Sequence, residues 1–154
     1  MKRQTEREYY PEAWYPICLS SELECGQVRR LEAFDSHIIV FRTESGEVGV
    51  VSRYCPHMGT DLSRGEVADN QLRCPFHFRT FDVNGKLTDV PGASKVPRNC
   101  DLGTMPVREI YGLVFIFLGS KPTFDFPAFS RVKEHGVHSA CETKMMRTPY
   151  HALL

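Results

Sequence analysis

Two short pairs of a cysteine and a histidine are the residues of this chain best suited to chemistry. Cys55 and His57 lie two positions apart, and Cys74 and His77 lie three apart, beyond a sixteen-residue stretch at 58–73. Each pair offers one thiolate and one imidazole, and both groups ligate iron. A [2Fe–2S] cluster takes this mixed set when two histidines replace two cysteines on one iron. The pairs therefore predict an electron-transfer centre, with the cysteines on one iron and the histidines on the other.

A structural zinc site is the alternative, because two cysteines and two histidines also form the ligand set of a Cys₂His₂ zinc site. Such sites usually pair C-x₂₋₄-C with H-x₃₋₅-H, whereas cysteine and histidine alternate along this chain. The alternation favours iron and sulfide, and zinc stays open on the residues alone. Analysis of bound iron and acid-labile sulfide separates the two.

The elements that must position these pairs are predicted to be antiparallel β-strands. Short apolar or alternating runs separated by turn residues are typical of strands, and no long stretch has a convincing helical period. The predicted strands are 27–34, 36–42, 48–53, 78–83, 86–87, 107–110 and 113–118. Asn84-Gly85 between two of them is a strong signal for a two-residue hairpin turn. The predicted fold class is all-β.

Composition and charge limit the possible partners. The chain has 154 residues, enough for one domain, and 19 basic residues balance 19 acidic ones. Nucleic-acid binding therefore has no electrostatic support. Of the six cysteines, the four outside the two pairs lack the spacing of a disulfide framework and are predicted to be buried thiols. These are Cys18, Cys25, Cys100 and Cys141.

Membrane and secretory segments are not expected. The longest apolar run, 113–118, is far shorter than the roughly 20 residues that span a bilayer. The first six residues are charged and lack an apolar core, so no secretory signal is predicted. We expect a soluble protein in the cytoplasm.

The sequence around the two pairs resembles the signature of the Rieske family, C-x-H-x₁₅₋₁₇-C-x₂-H. The residues that carry the resemblance are 54–62, Gly65, 74–77, Phe81-Asp82, Gly85, Pro91 and 105–117. The resemblance covers roughly residues 14 to 120 and implies stacked antiparallel sheets, with a Rieske-type [2Fe–2S] cluster held by two loops. It implies Cys55, His57, Cys74 and His77 as the cluster ligands. The stretch 89–99, rich in proline and glycine, is similar to the loop that shields a Rieske cluster from water.

Within that family the chain is similar to the oxygenase and ferredoxin branch. Respiratory Rieske proteins carry an extra cysteine in each cluster loop, and hydroxyl residues after the second histidine that raise the potential. Here the corresponding stretch, 78–81, reads Phe-Arg-Thr-Phe, and no further cysteine is present in the loops. This implies a potential toward the negative end. Many oxygenases have Gly-Trp where this chain has Phe78-Arg79; Arg79 either favours the reduced cluster or pairs with an acidic neighbour.

The resemblance implies the Rieske portion of an oxygenase terminal component. The domains would be an N-terminal lead (1–13), the Rieske domain (14–120), and a linker with the start of a truncated or missing catalytic domain (121–154). Such a component accepts electrons from a ferredoxin or flavin reductase and passes them to a mononuclear non-haem iron. In the family that iron lies in the neighbouring subunit of a homotrimer, with His77 facing it. The stretch 58–62 with Gly65 favours oxygenases acting on sterols or other bulky hydrophobic substrates.

No catalytic residue is predicted within the chain. The family holds its catalytic iron with two histidines and a carboxylate, and the remaining histidines do not follow that pattern. These are His37, His135, His138 and His151. The alternative function is a free-standing soluble Rieske-type ferredoxin, although such carriers usually stop soon after the final hairpin.

Overall fold

The computed structural model describes residues 10–119, 121–122 and 124–126. This part of the chain forms ten short strands and two 3₁₀ turns, Ser20–Glu22 and Leu62–Arg64, without an α-helix, so the all-β prediction is confirmed. The strands are β1 (Ala13–Leu19), β2 (Val28–Ala33), β3 (Ser36–Arg42), β4 (Val48–Ser52), β5 (Glu66–Ala68), β6 (Gln71–Arg73), β7 (Thr80–Phe81), β8 (Leu87–Asp89), β9 (Val107–Ile110) and β10 (Leu113–Leu118). No helix within these residues is long and apolar enough to cross a membrane.

The strands form three antiparallel sheets, in the orders β1-β10-β9, β2-β3-β4 and β5-β6-β7-β8. The β2-β3-β4 sheet contributes to two hydrophobic cores, one on each face. Ile38 and Val40 of β3 pack in a core with Ile116 of β10, whereas Ile39 and Phe41 pack in the other core. Successive side chains of a strand point to opposite faces, so a strand covered on both faces reads as an unbroken apolar run.

The second of these cores supports the predicted ligand loops. It joins β3 and β4 to the four-stranded sheet, and Cys55 and Cys74 are among its buried members. The other members are Ile39, Phe41, Val51, Leu62, Leu72, Phe81, Leu87 and Leu102. Both cysteines are therefore fixed by the packing of the domain and not only by their own loops.

Three strands are absent from the sequence prediction. β1 contains Pro16, and its pairing with β10 shifts register between Pro16 and Cys18, which disguises the alternation that marks a strand. β5 and β6 have only three residues each. Strands this short give too few positions for a periodic pattern, so they become visible only through their neighbours.

Several predicted strand ends are wrong, and two strands end early because the backbone turns sooner than expected. β2 stops at Ala33, since Phe34 and Asp35 both take positive φ, +52° and +54°, in the tight turn to β3. The predicted strand 78–83 shrinks to β7. Its hairpin with β8 forms, but through more than the predicted two residues, because the Asp82 carboxylate accepts hydrogen bonds from the backbone N–H groups of Asn84 and Lys86.

A candidate metal centre on two loops

The first predicted pair lies on a loop that its own cysteine closes. This loop, residues 55–60, is called the first loop. The backbone N–H of Cys55 donates to the carbonyl of Thr60 at 2.9 Å, and the carbonyl of Cys55 accepts from the N–H of Gly59 at 2.9 Å. Gly59 has φ +69°, a left-handed conformation that glycine adopts without steric cost. The side chain of Cys55 is buried, whereas that of His57 is exposed.

The second pair lies on a loop with the same hydrogen bonds, residues 74–79, called the second loop. The N–H of Cys74 donates to the carbonyl of Arg79 at 2.9 Å, and its carbonyl accepts from the N–H of Phe78 at 3.1 Å. Phe78 therefore takes the place that Gly59 has in the first loop. It does so at φ +54°, a conformation uncommon for a bulky residue.

The four predicted ligands meet as two like pairs. Cys55 and Cys74 are each 2% exposed and belong to the same buried cluster, and Cys74 raises the pKa of the Cys55 thiol. His57 and His77 are exposed, and the centroids of their rings are 4.7 Å apart. The structure thus places two soft sulfur donors inside and two imidazoles outside.

This pairing suits a cluster of two irons. In a [2Fe–2S] cluster with mixed ligands, one iron takes the two cysteines and the other takes the two histidines. Among the residues that the structure describes, no group of three or more His, Cys, Asp or Glu side chains surrounds a single point where one metal ion would bind. Two ligands per metal is what the donor set offers, and it is what each iron of such a cluster requires.

The pKa values of Cys55 and His57 are shifted toward the neutral form of each side chain. Burial raises the pKa of the Cys55 thiol, and the adjacent Cys74 raises it further. Desolvation, together with the nearby charges of Arg79 and His77, lowers the pKa of His57. A metal takes the deprotonated thiol and the neutral imidazole, so metal binding at Cys55 has to release a proton, whereas His57 already favours the form that binds.

An ion pair anchors the base of the first loop. The Arg53 guanidinium donates to a carboxylate oxygen of Asp61 at 2.6 Å, and the other carboxylate oxygen accepts from the backbone N–H of Ser63 at 3.0 Å. The Arg53 guanidinium also lies 4.9 Å from the centroid of the Tyr54 ring. The hydrogen bond from Arg53 holds the pKa of Asp61 well below its usual range. This carboxylate therefore fixes both ends of the loop.

The second loop has a looser anchor. Arg73, which precedes Cys74, donates to Glu66 at 2.7 Å, and the Glu66 side chain is 59% exposed. The backbone supplies a closer contact: a Cβ added at Gly65 would lie 2.5 Å from the carbonyl oxygen of Arg73. Because only glycine permits this approach, Gly65 holds the segment after the first loop against the start of the second.

Among the described residues, nothing supports the interpretation that Arg79 pairs with an acidic neighbour. No ion pair among the described residues includes Arg79, and its Nε atom is buried without a hydrogen-bond partner. Although it belongs to the second loop, its charge acts on Cys55 and His57 of the first. The guanidinium thus lies near the donors of both loops.

An apolar rim around the two histidines was missed by the sequence analysis. We use "apolar rim" for Tyr54, Met58, Phe76 and Phe78, all of which are more than half exposed. The Phe76 ring lies 3.8 Å from that of His77. The available signal was simple: each of the four residues is directly adjacent to a predicted ligand, and only Phe78 belongs to a predicted strand.

The free cysteines agree in part with expectation. Among the described residues Cys18 is buried and Cys100 is half-buried, but Cys25 is exposed, so the prediction that it is buried is wrong. Cys25 lies in the turn that follows Leu23, where Gly26 has φ +78° and the chain faces solvent. The predictions for Cys141, His135, His138 and His151 fall outside the described residues. His37 is exposed on β3, away from a ligand role.

The predicted covering loop, 89–99, is exposed along 91–99. Val90 and Cys100 at its two ends pack against the core that contains the ligand cysteines. The ends are therefore tied to the site, and shielding of the centre by the loop stays a prediction. The structure describes only part of the predicted linker. In that part, the ring centroid of Phe126 lies 5.6 Å from that of Trp14 and 4.7 Å from that of Phe115, against the β1-β10-β9 sheet.

Comparison with known proteins places this arrangement in context. The family model described as the Rieske [2Fe-2S] domain matches residues 13–106. Among curated proteins, "Cholesterol 7-desaturase nvd 1" of Ciona intestinalis is 35% identical over 127 residues, covering 80% of this chain and 27% of the relative. "Probable 3-ketosteroid-9-alpha-monooxygenase, oxygenase component" of Rhodococcus rhodochrous is 35% identical over 121 residues, covering 77% and 30%. The chain thus spans less than a third of the length of these relatives.

Solved structures show the same likeness. NdmA of Pseudomonas putida CBB5, with caffeine bound, superposes with a TM-score of 0.71 at 29% identity, covering 84% of this chain and 40% of that one. Dicamba monooxygenase bound to dicamba gives a TM-score of 0.70 at 28% identity, covering 77% and 39%.

Proposed function

This chain belongs to the Rieske [2Fe-2S] domain family, and from that premise we propose that Cys55 and Cys74 bind one iron of its cluster while His57 and His77 bind the other. The observation that carries the assignment is the pairing of the buried thiols with each other and of the exposed imidazoles with each other. When bound, such a cluster accepts and donates an electron at a potential raised by its neutral histidine ligands.

The cysteines and the histidines have different roles in this proposal: the cysteines hold the cluster, and the histidines exchange electrons. The cysteines anchor it in the hydrophobic core, where water is excluded. The histidines face solvent, so the short path for an electron leads through their ring edges. The backbone hydrogen bonds of the two loops fix both donors before the cluster binds, which limits the ordering that binding requires.

We further propose that the chain is the Rieske portion of an oxygenase terminal component. It would receive electrons from a ferredoxin or flavin reductase and deliver them to a mononuclear non-haem iron in a catalytic domain. The relatives support this, since several carry "oxygenase component" in their names. In the proposed division the Rieske domain is 14–120, preceded by a lead at 1–13 and followed at 121–154 by a linker with the start of a catalytic domain. A cytoplasmic location belongs to the same proposal.

The apolar rim suits the contact with these partners. Interfaces are enriched in aromatic residues and methionine at their centres, and the rim surrounds the two exposed histidines with such side chains. Docking there brings an acceptor to the edge of His77, as in a homotrimer whose catalytic iron lies in the neighbouring subunit. The sterol and ketosteroid names among the relatives favour a bulky hydrophobic substrate for the whole protein.

The ligand proposal is tested by metal analysis of the purified protein. We expect iron and acid-labile sulfide in equal amounts, two of each per chain, in a coloured protein that a mild reductant bleaches. One zinc per chain in a colourless protein would contradict both the ligands and the electron-transfer role.

The oxygenase proposal is tested separately, with the full-length protein. A reductase and its electron donor should reduce the cluster, and reoxidation should then accompany hydroxylation or desaturation of a sterol. A full-length protein whose cluster is reduced and reoxidised, but which binds no mononuclear iron and oxidises no substrate, would favour the free-standing carrier instead.

A further inference from the structure

The second loop contains a buried hydrogen-bond donor that no acceptor among the described residues satisfies. The Nε atom of Arg79 is shielded from solvent and has no acceptor within the described part of the chain. Leaving a buried donor unpaired costs about 1–3 kcal/mol, and more when the group is charged. Such groups are rare in native proteins and call for an explanation, which includes an ion or cofactor that completes the bond.

The other arginines near the loops are arranged differently. Arg53 pairs with Asp61, and Arg73 pairs with Glu66. Their charges are compensated by carboxylates. Arg79 alone among these three has no carboxylate partner within the described residues. Its charge is therefore available to a group that is not part of the protein.

The position of Arg79 identifies that group. Its own carbonyl closes the second loop on Cys74, and its charge acts on Cys55 and His57 across the gap between the loops. A guanidinium that interacts with donors of both loops borders the space where the cluster binds. The sulfur atoms of the cluster and its thiolates are anionic acceptors, and the hydroxyl donors of high-potential relatives are absent from 78–81 except at Thr80. Thr80 is already hydrogen-bonded to Thr88.

We infer that Arg79 sets the reduction potential of the cluster by stabilising the extra negative charge of the reduced state. This inference rests on the proposed cluster ligands. The electron adds one negative charge to the bound cluster, and the guanidinium stays protonated and transfers no proton. A fixed positive charge in a partly buried site favours the more negative state, since its interaction is weakly screened there. The absence of hydroxyl donors would leave the reduction potential of the cluster low. Arg79 raises this potential.

The experiment compares the midpoint potentials of the wild-type protein, Arg79→Gln, Arg79→Lys and the matched control Arg64→Gln. Arg64 is exposed and belongs to no ion pair among the described residues, so its substitution removes the same net charge at a distance. We expect Arg79→Gln to reduce the equilibrium constant for cluster reduction about tenfold, which is about 59 mV for a one-electron couple. Arg79→Lys should keep most of the potential, and Arg64→Gln should leave it unchanged.

Three results would overturn the inference. The first is an unchanged potential in Arg79→Gln with full iron and sulfide content. The second is an equal shift in Arg64→Gln, which would indicate net charge rather than position. The third is loss of the cluster in both Arg79 variants, which would assign Arg79 to the assembly of the loops. Each leaves the wild-type cluster intact, whereas failure of the ligand proposal would remove the cluster from the wild-type protein.

Discussion

The first and second loops form the same turn from different residues. In both, the cysteine N–H bonds to the carbonyl five residues on, and the cysteine carbonyl accepts from the N–H four residues on. The residue four positions after the cysteine has a left-handed backbone; it is Gly59 in the first loop and Phe78 in the second. The residue five positions after the cysteine is Thr60 in the first loop and Arg79 in the second. The backbone turn therefore depends on the cysteine and its hydrogen bonds, and the later positions are free to take side chains that serve the site.

The ion pairs beside the two loops also use different residues, and they differ in exposure. Asp61 joins Arg53 to the backbone of Ser63, and both side chains of this ion pair are mostly covered. Glu66 joins Arg73 in an exposed pair. An exposed pair contributes little because water and salt screen it. The first loop is thus held by side chains, whereas the second is held by backbone contact through Gly65.

The largest expected effect comes from removing either cysteine. Cys55→Ser and Cys74→Ser should each lose nearly all bound iron and sulfide, because one remaining thiolate cannot hold the iron that the two cysteines share. The loss should be equal, since the two loops hold equivalent donors. Measurement of iron and sulfide per chain checks this, with Cys25→Ser, an exposed free thiol, as the control. Retention of a full cluster in either variant would contradict the prediction that both loops supply an essential cysteine ligand.

The anchors should differ in thermal stability. Asp61→Ala removes both an ion pair and a capping hydrogen bond, so we expect the melting temperature to fall by about 5 °C. Glu66→Ala removes only an exposed ion pair and should lower it by less than about 2 °C. Thermal denaturation of the two variants, each loaded with its cluster, measures the difference. Equal falls would mean that the anchors are equivalent.

The stabilisation from Asp61 should also depend on pH. Its pKa is lowered in the folded protein by the Arg53 hydrogen bond. A carboxylate with a lowered folded-state pKa stabilises fully above its unfolded pKa of about 3.9 and loses this contribution as the pH falls below that value. The difference in melting temperature between the wild-type protein and Asp61→Asn should therefore be constant from pH 7 to about 5 and shrink below about 4. A difference that grows at low pH would contradict the ion pair.

The smallest expected effects come from exchanging the residues at the left-handed position. Gly59→Ala should destabilise the protein by about 1 kcal/mol, because a Cβ at Gly59 meets no atom within 4 Å and only backbone strain changes. Phe78→Gly should stabilise it slightly, by up to about 0.5 kcal/mol, since relieved strain exceeds the added chain entropy. Chemical denaturation measures both values. Effects of the same sign would show that the two turns are not equivalent.

Phe78→Gly also tests the apolar rim. If the exposed Phe78 ring contacts the electron partner, the variant should be reduced more slowly by the reductase while its potential stays close to that of the wild-type protein. Stopped-flow reduction measures the rate. An unchanged rate would exclude Phe78 from the docking surface.

Much of the site could be predicted from the sequence because its chemistry is local. Cys55, His57, Cys74 and His77 are recognisable by type and spacing alone, and β3, β9 and β10 have the predicted bounds because each is a continuous strand pattern. β1 was missed because Pro16 interrupts its pattern, and β5 and β6 were too short to have one.

The features of the site that could not be predicted from the sequence depend on contacts between residues far apart along the chain. The Nε atom of Arg79 has no hydrogen-bond partner in the described part of the chain, and nothing in the neighbouring sequence indicates this. The close approach of Gly65 to Arg73 is likewise a tertiary contact.

The central claim is that two cysteines bind one iron and two histidines bind the other. Pulsed electron paramagnetic resonance of the reduced protein tests it directly, because nitrogen nuclei bound to the cluster couple to its unpaired spin. We predict two strongly coupled nitrogens, from His57 and His77, and one in His77→Cys, which should keep a cluster of lower potential. A reduced cluster without coupled nitrogen would contradict the account, since four thiolates would then hold it.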